Sequence, residues 1–341
     1  MSAARYVALV GAAASLGAVF LLFEPDPGLL RGEGPMFPVL ASDEREIVLA
    51  GDVMLARDVA DSLRRRSRRF SYPFDAVREV IARADIAFAN LESQISGRGQ
   101  PVSPTKIAFN APPEAADGLR ASGLDVVSVA NNHTLDFGPV ALADSEALLA
   151  KAGLLSLGLS TNDAPQEPVV VDARGVSVGF LGYCDPRRPS TCHSVFRQFA
   201  RGPARSTDDA LARDIAALRP RVDVLVVSLH WGTEKRLEPA ANQRALAHHI
   251  IDLGADVVAG HHPHVQQEPE IYKNGVILYS MGNFVFDSDS SDELRDSRLY
   301  RIVVATDGVR ALSYLPLEIA RGDWQPRPTQ RTFVVLHEPP S

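Results

Sequence analysis

Six apolar runs of this chain end in residue types that bind metal ions or move protons. REIVLA ends in Gly51-Asp52, DIAFA in Asn90-Leu91-Glu92 and DVVSVA in Asn131-Asn132-His133. DVLVVSL ends in His230-Trp231-Gly232, DVVAG in His261-His262-Pro263-His264 and GVILYS in Gly282-Asn283. One such ending is ordinary turn chemistry, because Asn and Gly suit turns. Six together are not how loops are normally composed. Carboxylate, amide oxygen and imidazole favour Mn, Fe or Zn over a soft-metal thiolate site. One Asp, one Glu, one Asn and several His exceed the needs of a lone zinc. Two divalent transition-metal ions sharing a carboxylate fit the count, and such a pair activates water and clamps attacking and leaving oxygens.

Collecting these residues requires strands whose C-terminal ends meet at one edge, as in an open parallel sheet. The pattern supplies them. Apolar runs at Glu46–Ala50, Ile86–Ala89, Asp125–Ala130, Val176–Gly182, Val222–Leu229, Asp256–Ala259 and Val276–Ser280 read as strands. Helical patterns lie between them at Phe74–Arg83, Pro113–Ala121, Pro139–Lys151, Asp208–Leu218 and Ala241–Leu253. The alternation predicts an α/β fold with helices on both faces of the sheet. Near the C-terminus, Tyr300–Ala305 and Val309–Ile319 flank Asp307-Gly308, a hairpin signal that predicts an antiparallel extension.

The 341 residues are 45% hydrophobic and 23% charged, an ordinary globular composition. A balance of 35 basic against 42 acidic residues, net −7, argues against nucleic acid as a partner. Tyr6 to Phe23 carries no charge, follows Arg5 and precedes Glu24-Pro25-Asp26. Its length suits one membrane crossing, and the charge asymmetry places the remainder outside the cytoplasm. A cleaved signal peptide gives the same location, though Phe20-Leu21-Leu22-Phe23 offers no small-residue cleavage site; a buried helix is the third reading. The expected organisation is a cytoplasmic N-terminus (1–5), a transmembrane anchor (6–23), a Pro- and Gly-rich tether (24–44), a folded domain (45–335) and a tail (336–341). The two cysteines, Cys184 and Cys192, bracket a short Pro-containing loop; outside the cytoplasm they suit a disulfide, while two free thiols remain the alternative.

The segments GDVMLAR, ADIAFANLES, VSVANNHTLDFG, LHWGTE, DLGADVVAGHHPHVQQ and LYSMGNFVFD together resemble the ordered motifs of the CapA-type poly-gamma-glutamate capsule biosynthesis proteins, over roughly Glu46 to Asp287. That family belongs to the calcineurin-like metallophosphoesterases. The resemblance implies a four-layer sandwich, two packed sheets flanked by helices, with a dinuclear metal centre at the sheet edge. It implies Asp52, Glu92, Asn132, His230, His262 and His264 as metal ligands, with Glu92 bridging. His133 would contact the scissile group. Asp136, read from its place beside His133, orients it by hydrogen bonding or caps the following helix rather than binding metal. Two positions depart from the superfamily pattern: Met54 stands where many phosphoesterases have histidine, and Glu92 stands where aspartate is usual. The first metal site is therefore expected to be weaker or differently filled.

Other residues admit two readings each. Arg57, Trp231 and Glu234 are candidates for substrate binding, or are surface and packing residues. His261 is a third ligand of its cluster or points away from it. Arg64 to Arg69, with five arginines, is a solvated face or steers an anion toward the site. His248 and His249 read as structural. The functional expectation is a membrane-anchored, extracytoplasmic, metallophosphoesterase-like hydrolase or transferase acting on an anionic polymer or its phosphorylated precursor, alongside other capsule synthesis or export subunits. A non-catalytic accessory subunit that keeps the metal site, and a metalloenzyme with an unrelated substrate such as a peptide, are the alternatives.

Overall fold

The computed structural model describes residues 40–103, 107–188, 190–192, 198–288 and 290–338. The anchor expected over 6–23 and most of the tether lie outside the described residues. Among those described, no helix is long and apolar enough to cross a membrane.

The fold is mixed α/β and rich in sheet. In chain order its main elements are β1 (Arg45–Val53), α1 (Arg57–Arg65), α2 (Arg78–Arg83), β2 (Ile86–Leu91), α3 (Glu114–Ala121), β3 (Val126–Ser128), α4 (Gly138–Ala152) and β4 (Leu155–Leu157). There follow β5 (Val169–Ala173), β6 (Val176–Cys184), α5 (Asp208–Leu218), β7 (Val224–His230), α6 (Ala241–Asp252), β8 (Val257–His261), β9 (Glu270–Tyr272) and β10 (Gly275–Leu278). The chain continues with β11 (Asn283–Val285), β12 (Asp296–Ala305), β13 (Gly308–Ile319), β14 (Pro326–Pro328) and β15 (Val334–His337). A nine-stranded sheet runs β14-β13-β12-β1-β2-β3-β4, with β11 beside β1 and β15 beside β13. A six-stranded sheet runs β9-β10-β8-β7-β6-β5.

The strand ends therefore do not share the edge of one open sheet. Asp52, Glu92 and Asn131 come from the first sheet, whereas His230 and His261 come from the second, so the site forms where the two sheets meet. Period-2 alternation explains how the sheets pack. Ile47 and Leu49 of β1 and Phe88 of β2 point into one apolar layer with Phe180, Val226, Val257 and Ala259 of the other sheet. Phe88 and Phe180 stack across it, ring centroids 5.7 Å apart. The intervening residues Val48, Ala50, Ala87 and Ala89 face outward, against Val59 and Leu63 of α1, Ile81 of α2 and Leu119 of α3. The outer face of the second sheet, through Leu225, Val227 and Leu229, packs on Leu211 and Ile215 of α5 and Ile250 of α6. Each fully buried Phe or Leu in these layers contributes roughly 1.5–3 kcal/mol.

Helix α1 has no counterpart among the sequence expectations. Phe74–Arg83 resolves into a short 3-10 turn at Tyr72–Phe74 and α2. The hairpin forms around Asp307-Gly308 and joins the nine-stranded sheet through β12 and β1. Cys184 and Cys192 are linked by a disulfide across a separation of 8 residues.

Candidate metal centre

Backbone irregularities aim the ligands. The pairing of β1 with β2 slips between Ala50 and Asp52, so Gly51 is an extra residue that turns Asp52 toward the strand end. Glycine is required there, because a Cβ would lie 2.1 Å from the Gly282 carbonyl oxygen, which accepts the Asp52 N–H at 2.9 Å. After β8 the chain turns through two non-glycine residues at positive φ, His262 at 95° and His264 at 61°. Each such conformation costs about 1–3 kcal/mol. The cost places both imidazoles beside His230, Asp52 and Glu92.

Two groups of ligand atoms converge, Asp52, Glu92 and His230 in one and Glu92, His262 and His264 in the other, with the atoms of each group within 4.8 Å of one another. Glu92 belongs to both. Its Oε1 lies 3.7 Å from His230 Nε2, 3.7 Å from His264 Nε2 and 3.8 Å from His133 Nε2. Neither Glu92 carboxylate oxygen has a hydrogen-bond partner among the described residues, although the side chain is fully buried. Burial, with Asp52, Glu234 and Asp136 adding to it, pushes the Glu92 carboxyl well above the ordinary range against the pull of His264. Burial also works to raise Asp52, but His261 and His264 hold it well below its usual value. Burial drives His230 down, and burial with the His264 charge takes His262 to about 3. His264 is raised to about 9, since Glu92 and Asp52 outweigh its desolvation.

An orphaned buried carboxylate between imidazoles is costly as it stands, and cations remove that cost. The donor set, oxygen and imidazole without thiolate, fits divalent transition metals. Asp52, Glu92, His230, His262 and His264 could hold them.

Asn90 Nδ2 donates to Asp52 Oδ1 at 2.8 Å, Asn131 Nδ2 to Asn90 Oδ1 at 3.2 Å, and the His133 N–H to Asn131 Oδ1 at 3.0 Å. This amide relay ties the Asp52 carboxylate to the loop that carries His133. His133 Nδ1 lies 2.6 Å from Asp136 Oδ2, and the same carboxylate oxygen accepts the Phe109 N–H at 2.8 Å. Phe109 stacks on the His133 ring with centroids 4.0 Å apart. His264 Nδ1 is 2.9 Å from Asn283 Oδ1. Sequence reasoning assigned no role to Asn90, Asn131, Asn283 or Phe109. The first three lie in the same strand-end motifs as the ligands, which was the available signal; nothing local marks Phe109.

A pocket of about 480 Å³ opens over the centre, lined among others by Arg57, Phe109, Asn132, His133, Glu234 and His264. Arg57 and Glu234 thus reach the pocket, and Arg57 lies 3.3 Å from Asp287. Trp231 does not. It is fully buried in the outer core of the second sheet, its indole N–H donating to the Tyr279 carbonyl at 2.8 Å, so the substrate contact expected of it is replaced by packing. Met54 is fully buried too, and its sulfur accepts the Ala56 N–H at 3.1 Å. The basic run is largely paired: Arg66 and Arg68 meet Asp323, Arg64 meets Glu114 and Arg69 meets Asp75. His248 bonds Glu270 at 2.8 Å and stacks on Tyr272, a structural role.

Two packed sheets delivering carboxylate, amide and imidazole groups to one buried cluster under an open pocket define an α/β protein with a candidate metal centre. The model of the bacterial capsule synthesis protein PGA_cap family matches residues 46–288, and the chain belongs to that family. It is 29% identical to the capsule biosynthesis protein CapA of Bacillus anthracis over 293 residues, 84% of this chain and 70% of that one. It is 27% identical to the PGA biosynthesis protein CapA of Bacillus subtilis, covering 85% and 75% of the two chains. A probable polyglutamine synthesis accessory protein of Mycobacterium tuberculosis is 32% identical, covering 70% and 67%.

Proposed function

We propose that this protein is a membrane-anchored, extracytoplasmic metalloenzyme of the CapA type, acting in synthesis or export of a poly-gamma-glutamate-like envelope polymer. The observation that carries the chemistry is Glu92, a buried carboxylate shared by two ligand groups beneath a pocket that also exposes His133. On this reading Asp52, Glu92, Asn132, His230, His262 and His264 hold two divalent ions in a metallophosphoesterase-like four-layer sandwich. When bound, the ions supply Lewis acidity and an activated water. The chain's own residues do the rest. Asp136 fixes the His133 ring through Nδ1, leaving Nε2 to donate a proton to the leaving oxygen. Arg57 and Glu234 contact the substrate, an anionic polymer or its phosphorylated precursor, at the pocket wall.

A second reading, a non-catalytic accessory subunit of a polymer synthesis or export complex, draws support from Met54 at the position where many phosphoesterases carry histidine. The test is turnover by the purified protein on phosphoester and polyglutamate panels, with and without added Mn. Metal-dependent turnover abolished by His133→Ala supports the enzyme. Metal uptake without turnover on either panel supports the accessory subunit.

A further inference from the structure

His261 is fully buried at the C-terminal end of β8, yet the two ligand groups converge without it. Strand alternation sends Val257 and Ala259 into the layer between the sheets, and His261 follows them onto the same face. Its ring lies against Phe88, centroids 6.0 Å apart, on the apolar floor formed with Phe180. Neither ring nitrogen makes an aligned hydrogen bond among the described residues. A buried imidazole left in that state requires an explanation, because apolar side chains pack there at lower cost. The polar atom it faces is Asp52 Oδ1, 3.2 Å from Nδ1.

Its position is rigid. The neighbouring Gly260 cannot accept a Cβ, which would lie 2.1 Å from the Tyr279 carbonyl oxygen, and the His261 carbonyl accepts the Trp231 N–H at 3.1 Å. Asp52 Oδ1 also accepts the Asn90 side-chain amide at 2.8 Å. The Asn90 amide and the His261 ring nitrogen therefore converge on one oxygen of the Asp52 carboxylate. Hydrogen-bonding partners placed behind a ligand orient it and raise its affinity for metal.

We propose that His261 is a positioning residue for Asp52: its Nδ1–H, rising from the inter-sheet floor, orients the carboxylate for metal, and the ring itself binds no ion. The proposal rests on the metal-centre reading above. It gives the second sheet a direct hold on a ligand of the first.

The test uses the full chain in mild detergent with two variants of the same branching and side-chain heavy-atom count. His261→Asn keeps an N–H near the Nδ1 position, and His261→Leu removes it while leaving the same space. Zn and Mn affinity is measured by chelator competition, ion content by elemental analysis and the melting temperature on metal-free protein. His261→Leu is expected to weaken ion binding about 10- to 100-fold, with the number of ions at saturation unchanged and metal-free melting at or above the parent's. His261→Asn is expected to bind close to the parent. Equal losses in the two variants, or parent-like affinity in His261→Leu, overturn the proposal. Loss of one whole ion in His261→Leu overturns it in favour of a ligand role. If the parent itself takes up no ion, the metal-centre reading fails and this proposal with it; a metal-binding parent with an unaffected Leu variant sinks this proposal alone.

Discussion

His133 Nδ1 lies 2.6 Å from Asp136 Oδ2, which leaves Nε2 as the ring atom toward Glu92, 3.8 Å away, on the floor of the pocket. The carboxylate that holds the ring also accepts the Phe109 N–H, so ring and stacking partner are placed by one group.

His133→Ala is therefore expected to keep fold and metal content and to lose about two to four orders of magnitude in turnover, the range for removing a general acid. Asp136→Asn should lose less and shift the pH profile. His264→Ala should lose metal as well. Circular dichroism, elemental analysis and steady-state kinetics on the three variants check this; polymer production unaffected by His133→Ala but abolished by deleting the chain would favour the accessory subunit.

Glu92→Gln tests the shared carboxylate. Both ions should weaken together, not one, in a metal titration. The metal-free protein should respond in the opposite sense. A carboxyl raised above its unfolded value of 4.5 contributes stability that is full below that pH and is lost as pH rises through the folded value. Glutamine removes that loss, so metal-free Glu92→Gln should melt higher than the parent at pH 7.

Ion uptake should release protons. His264 is raised from 6.5 to about 9, so its protonated form contributes stability present below 6.5 and lost as pH climbs to about 9. A metal takes the deprotonated imidazole, so affinity should rise by about tenfold per pH unit for that proton and level off near 9. Calorimetry in buffers of different ionisation enthalpy measures the count; affinity that is flat between pH 6.5 and 9 would contradict the charge pattern.

The disulfide closes a short loop after β6, next to the paired ends of β6 and β7. Replacing both cysteines by serine should cost about 2–3 kcal/mol by loop closure, read as a lower denaturant midpoint. Protein recovered from the envelope should show Cys184 and Cys192 linked on mass mapping, with neither open to alkylation.

A reporter fused after Ser341 should be active outside the cytoplasm, because the positive charge precedes the apolar run at 6–23 and the acids follow it. Activity only inside the cell would remove the localisation.

The strand ends were legible in the sequence because hydrophobic alternation and the polar residues that interrupt it are local signals. Asp52, Glu92, His230, His262 and His264 are named by type and place, and the helix Asp208–Leu218 keeps its expected bounds. Local patterning does not specify which strands pair or which sheet a strand joins, since that depends on contacts between residues far apart in the chain. Only the tertiary structure put β1 and β2 in one sheet and β7 and β8 in the other, brought Asp52 within 3.2 Å of His261, and buried Trp231 against Tyr279. Phe109 was invisible for the same reason: its place on His133 is fixed by Asp136, 27 residues later in the chain, through a bond that exists only once the loop closes.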